Sequence, residues 1–183
     1  MKKLLAIIST IVLLLISTDN SYASNQASGS SAKLASEISP LVVDDRARIL
    51  EGFLLQYDSP LAPYAGDFIK YADQYDLDWR LVASIAGLES TFGKRIPYQS
   101  YNGWGWGVYG DNVIRFESWS EGIETISHGL RTRYLKDGQY SDPYIIGPTY
   151  ASSPTWAVRV TFFMNRMEEY RLKNAKSTLA LAL

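Results

Sequence analysis

The sequence contains no cysteine and a single histidine, His128, in 183 residues. Without cysteine there is no disulfide framework, no lipid-modified cysteine and no thiolate metal site. One histidine and no cysteine cannot build a zinc centre of the usual nitrogen and sulfur type. His128, inside "TISHGL", reads as a packed or surface helix residue rather than a base. No phosphate-cradling glycine motif follows a strand and no EF-hand spacing occurs, so no cofactor and no metal is implied. An excess of one charge is missing as well, since 18 basic residues face 19 acidic ones. With no basic stripe to neutralise phosphates, nucleic acid is not an expected partner.

Long apolar runs are scarce, and the one that stands out is at the start. Lys2 and Lys3 precede "LLAIISTIVLLLIS", and "SYAS" places Ser21 and Ala23 at the small-residue positions of a signal-peptidase site. An uninterrupted span needs roughly 20 apolar residues, and Asp19 and Asn20 close this run early. Residues 1–23 are therefore expected to be a cleaved signal peptide, leaving an exported chain with no stable membrane span. Losing Lys2, Lys3 and Asp19 lowers the 18 basic and 19 acidic residues to 16 and 18, a net of about minus two. The expected location is secreted, extracellular or wall-associated, or periplasmic in a Gram-negative cell.

Residues 24–40, small and polar without hydrophobic period, read as a flexible leader. The chain is 46% hydrophobic and 20% charged, enough for one domain with a real core. That domain is expected over residues 41–172, with a frayed tail over 173–183. A first helix is expected in "LVVDDRARILEGFLLQY", where Val42, Ala47, Leu50, Leu54 and Tyr57 recur at near-helical spacing. A second is expected in "YAGDFIKYADQYD" after the prolines of "DSPLAP". A third, "LDWRLVASIAGLEST", has Asp78 as its expected N-cap and Gly93 as its stop. Leu81, Ile85 and Leu88 give it an inward stripe, with Glu89 on the border of that stripe and expected to be partly buried.

By position alone, Glu89 is a solvated charge at a helix end. The negative helix terminus and apolar neighbours would, however, favour a protonated carboxyl, which is what a general acid requires. After it, "YQSYNGWGWGVYGDNVIRFES" interleaves three tyrosines and two tryptophans with Gly103, Gly105, Gly107 and Gly110. Such a stretch suits either core packing or a cleft whose aromatic faces meet sugar rings. "VYGDNVIRF" suggests a short hairpin turning at Gly110, Asp111 and Asn112. Ser118 and Glu121 then form the capping-box pattern of a helix whose inward face is Trp119, Ile123, Ile126 and Leu130. A last helix is expected from Ser153 and Pro154, burying Trp156, Val160, Phe163 and Met167.

"GLESTFG", "YNGWGWGVYG", "FESWSEGIETISHGLRTRYL" and "YASSPTWAVRVTFFMNRM" resemble, in order and spacing, the bacterial glucosaminidase domain of glycoside hydrolase family 73. That domain is also described as mannosyl-glycoprotein endo-beta-N-acetylglucosaminidase-like, and is similar to lytic transglycosylases and goose-type lysozyme. The resemblance runs from about Ser59 to Tyr170, over half of the chain. It implies a mainly α (α+β) fold, a lysozyme-like helical domain with a small β-hairpin at a cleft that holds N-acetylglucosamine and N-acetylmuramic acid. It implies Glu89 as catalytic acid and Tyr150 in the same site. Ser90, Tyr101, Asn102, Trp104, Trp106 and Tyr109 are the residues expected to contact substrate.

The activity so implied is cleavage of a β-1,4 glycosidic bond in peptidoglycan or a related glycan, with Glu89 protonating the leaving oxygen. For a second carboxylate, roughly 5 to 9.5 Å away in a standard hydrolase, Asp111 and Glu117 are the candidates. Each reads equally well as a turn or surface residue. Without one, the substrate's 2-acetamido group or 6-hydroxyl can attack the anomeric carbon, the latter giving the 1,6-anhydro product of a lytic transglycosylase. A wall module that binds glycan without cutting it is the alternative of a different class.

Overall fold

The computed structural model describes residues 44–107 and 112–181, with side chains through residue 175. The expected signal peptide and leader lie outside the described residues. So do Tyr109, Gly110 and Asp111.

The fold is mainly α. Six α-helices occur among the described residues: α1 Arg46–Leu55, α2 Ala65–Gln74, α3 Leu81–Ser90, α4 Trp119–Gly129, α5 Pro143–Tyr150 and α6 Trp156–Leu181. A 3₁₀ turn, Ala62–Tyr64, leads into α2, and a π-helical turn, Leu130–Tyr134, extends α4. None of these helices is long and apolar enough to cross a membrane. The first strand and the turn of the expected hairpin lie at residues 108–111, outside the described residues; Asn112 beside them makes an isolated bridge.

Helix α3 is the centre of the packing. Leu81, Val82, Ala83, Ser84, Ile85, Ala86, Gly87 and Ser90 are all buried, so this helix has an inward face nearly all round, as a helix enclosed by others must. It packs against α6, α2 and α4, while α1 packs against α2 and α6, and α5 against α6. Helix α4 follows the sequence pattern closely. Ser118 Oγ accepts the Glu121 N–H at 3.1 Å, and Trp119, Ile123, Ile126 and Leu130 are all buried.

Four boundaries differ from expectation. Asp78 does not cap α3: its carboxylate accepts the Arg80 N–H at 2.9 Å and pairs with the Arg80 guanidinium, closing a turn that delays the helix to Leu81. The stop comes before Gly93. Thr91, Phe92 and Gly93 all adopt left-handed backbone, φ 55°, 56° and 81°, and the Phe92 N–H returns to Ala86 O at 3.0 Å. Thr and Phe in that region cost on the order of 1–3 kcal/mol each, offset by the Phe92 ring packing on Phe53, Tyr57 and Phe163.

Ser153 does not cap the last helix either. Its hydroxyl lies 3.1 Å from that of Thr155, and the helix starts at Trp156. It then runs to Leu181, so the expected frayed tail from residue 173 is helical up to that point. Of its expected inward face, Trp156, Val160 and Met167 are buried and Phe163 is half-buried. Helix α5 was not expected. Asp142 caps it by accepting the Tyr144 N–H at 2.8 Å and Pro143 fills its first position, while Gly147 and Pro148 in its interior disguise it as a loop.

Candidate functional site

The last turn of α3 ends where the tryptophan-rich loop and the start of α6 meet. Glu89 stands there, and it is exposed rather than partly buried, because α3 turns Ser90 inward and Glu89 outward. Its carboxylate is nevertheless engaged. Oε1 accepts the indole N–H of Trp156 at 2.9 Å, and Oε2 lies 3.6 Å from the position a Cβ on Gly105 would occupy. Gly105 has φ +65°, a conformation that costs glycine little and brings the loop backbone close to the acid.

Tyr150, the last residue of α5, is the second expected site residue, and it also arrives here. Its ring lies 4.8 Å from that of Trp156, 5.5 Å from Tyr134 and 6.1 Å from Trp106. Its hydroxyl donates to Trp104 O at 2.8 Å, which ties the loop to α5. Burial pushes the phenol well above its ordinary range, with the Glu89 charge second and Tyr134 third, so the phenol stays protonated and acts as a donor to the loop.

A hollow of about 310 Å³ opens beside these groups, walled by Gly105, Trp106, Ile114, Arg133, Tyr134 and Tyr150. Arg133 and Tyr134 reach it from the π-helical turn, whose wider winding changes the direction of the side chains that follow. The guanidinium of Arg133 lies over the Trp106 ring, 5.7 Å from its centroid. A larger hollow of about 740 Å³, bordered by Asp78, Arg80, Tyr140 and Tyr144, contains none of these groups.

Three residues expected to contact substrate are instead the internal framework of the loop. Trp104 is 0% exposed, donates its indole N–H to Val82 O at 2.9 Å and packs among Phe68, Phe116 and Trp119. Asn102, 2% exposed, donates to Trp106 O at 2.8 Å and Ile114 O at 3.0 Å and accepts the Trp106 N–H at 3.1 Å. Ser90 Oγ lies 2.7 Å from Gly103 O and accepts the Gly93 N–H at 2.8 Å. Removed from water, the polar groups of all three find internal partners in the backbone.

The other expected contacts divide. Trp106 is mostly buried but presents an edge to the hollow. Tyr101 is partly exposed and stacks edge-on against Trp119, with ring centroids 5.5 Å apart. Glu117 is exposed at the entrance to α4, its N–H bound by the Glu121 carboxylate. His128 is exposed and leans on the Tyr75 ring. Among the described residues, no group of three or more His, Cys, Asp or Glu side chains converges to hold a metal ion.

Trp156, Arg133 and Tyr134 are the site residues that sequence spacing did not single out. Trp156 reads as an ordinary core residue of its helix, and it is buried, but its polar edge meets Glu89. Arg133 and Tyr134 fall in a helical pattern that gives no sign of the change in winding. No protein-family model matches the chain, and no curated protein matches it.

Proposed function

We propose that the protein is an exported peptidoglycan glycosidase in which Glu89 is the general acid. The observation that carries the reading is the pairing of Glu89 with Trp156 beside an aromatic-walled hollow. The motif resemblance to bacterial glucosaminidase domains supports it independently.

The chemistry follows from the hydrogen-bonding capacity of the two partners. An indole N–H only donates, so Oε1 of Glu89 can only accept from it. A proton on the carboxyl then sits on Oε2, which faces Gly105 at the edge of the hollow. A glycosidic oxygen placed there receives that proton as the bond to the anomeric carbon breaks and oxocarbenium character develops. Tyr134 and Tyr150, with the edge of Trp106, wall the space for the apolar side of a sugar. Attack by water then gives a reducing end, and attack by the sugar's 6-hydroxyl gives a 1,6-anhydro end.

Dye-labelled peptidoglycan incubated with wild type and Glu89→Gln tests the assignment. Release by wild type, with binding but no release by the variant, is the expected result. Equal release by both removes Glu89 from the chemistry, and binding without release by either makes the chain a glycan-binding module. Mass spectrometry of the released fragments identifies which bond is cut and which nucleophile attacks.

A further inference from the structure

We propose that the end of the molecule around Glu89 carries a cationic rim that docks a linear polymer with a phosphate in each repeat. That partner is distinct from any glycan cut at Glu89, and the rim does not depend on the glycosidase reading.

The near balance of 18 basic and 19 acidic residues hides an uneven distribution. Residues 90–110, 125–136 and 143–167 contain no Asp or Glu. They supply the tryptophan-rich loop, the π-helical turn, α5 and the first half of α6, the elements gathered at the end of α3. Pairing follows the same division. Arg46, Arg48, Arg80, Arg131, Arg166 and Arg171 each bind a carboxylate of this chain. Lys94, Arg95, Arg115, Arg133 and Arg159 are exposed and make no ion pair among the described residues. Glu117 and Glu121, at the entrance to α4, neutralise none of them by contact.

Local geometry brings the five to one end of the fold. The Arg95 N–H returns to Ser90 O at 2.9 Å, which folds Lys94 and Arg95 back on the last turn of α3. Arg159 lies three residues after Trp156, which holds Glu89, and four before Phe163, whose ring packs 5.1 Å from that of Phe92. Residues at that spacing share one side of a helix, so Arg159 stands beside the same turn. Arg133 lies over the Trp106 ring, across the hollow. Arg115 follows Ile114, a wall of the hollow, and donates to Tyr98 O.

Five cations on four separate segments spread charge along a rim, which suits charges repeated along a chain better than a single small anion. Four of the five are guanidinium groups, whose paired N–H donors match the oxygens of phosphate. Attraction of this kind acts at long range and is screened by salt.

The test measures binding of the intact protein to linear polyphosphate, polyglutamate and neutral dextran. Polyphosphate is expected to bind several-fold more tightly than polyglutamate, dextran not to bind, and a rise in salt from about 0.05 to about 0.5 M to release the polyphosphate. The side chains of Lys94, Arg95 and Arg159 make no hydrogen bond or ion pair among the described residues, so their joint replacement by Gln should leave thermal unfolding unchanged. That triple variant should bind polyphosphate about tenfold or more weakly. Arg48→Gln, Lys70→Gln and Arg171→Gln together remove the same charge from α1, α2 and the far part of α6, and should leave binding within about twofold. Equal weakening by the two triple variants, or no binding of polyphosphate, overturns the rim. Binding of polyglutamate as tight as that of polyphosphate overturns the assignment of phosphate. Each of these results leaves the role of Glu89 to the release assay above.

Discussion

The indole N–H of Trp156 meets Oε1 of Glu89 at 2.9 Å across 67 positions of sequence. It joins the first residue of α6 to the last turn of α3, the two helices whose packing forms the middle of the fold. Trp156 is a positioning residue in the proposed mechanism, since it fixes which carboxyl oxygen is left to carry the proton.

Trp156→Phe keeps an aromatic ring and removes the donor. Turnover of peptidoglycan is expected to fall about 10- to 100-fold, the range of a hydrogen bond to a charged group. Folding stability should fall by only about 1–2 kcal/mol, from the space the smaller ring leaves. Dye release together with urea unfolding separates the two effects. A variant with lowered stability and unchanged kcat reduces Trp156 to a packing role.

Asn102 gives a prediction of the opposite kind, stability ahead of recognition. Its amide satisfies the carbonyls of Trp106 and Ile114, so Asn102→Ala leaves buried acceptors without a donor. A loss of about 2–4 kcal/mol is expected in urea unfolding. A normally stable variant that binds glycan poorly would return Asn102 to the list of substrate contacts.

Gly129 and Gly66 form a matched pair. A Cβ on Gly129 would stand 2.5 Å from the Trp106 ring, whereas one on Gly66 meets nothing within 4 Å. Gly129→Ala is therefore expected to destabilise by about 1–3 kcal/mol and to shift tryptophan fluorescence as Trp106 moves. Gly66→Ala, on the exposed side of α2, is expected to stabilise by about 0.5–1 kcal/mol. Thermal unfolding of the two variants reads both signs.

The alkaline limb of stability belongs partly to Tyr150. Its phenol is pushed up first by burial and then by the Glu89 charge, so the folded state holds the proton more tightly than the unfolded chain does. The contribution is complete below pH ~10, the ordinary value for tyrosine, and is lost as pH rises beyond it toward the folded value. Tyr150→Phe should lower stability by about 1 kcal/mol near neutrality, through the lost bond to Trp104 O. It should also flatten the decline above pH 10 in unfolding measured across that range. An unchanged alkaline decline would assign that limb to other groups.

Much of the helical architecture was legible because its signals are local. The Ser118 and Glu121 cap, the inward series from Trp119 to Leu130 and the apolar run of α3 all repeat within a turn or two, at the spacing of the helix itself. Helix α5 escaped because Pro143, Gly147 and Pro148 are breakers elsewhere. Here the Asp142 cap and the packing of Ile146 against the core outweigh them.

The place of Glu89 at the end of α3 was legible as well, though its exposure was not. Its surroundings were not. Trp104 and Trp106 look alike in sequence, yet the first is sealed in the core and the second edges the hollow, because Gly105 between them turns the chain through a left-handed residue.

Sequence by itself determined the lack of thiols in these 183 residues, the helices with strong local periodicity, and a carboxylate at the end of the most apolar of them. Only the tertiary structure decided which oxygen of that carboxylate is held, which indole holds it, and which cation faces the hollow. Helical spacing repeats every 3.6 residues and can be read along the chain. A contact spanning 67 residues depends on how whole helices pack, and no short stretch of sequence contains that information.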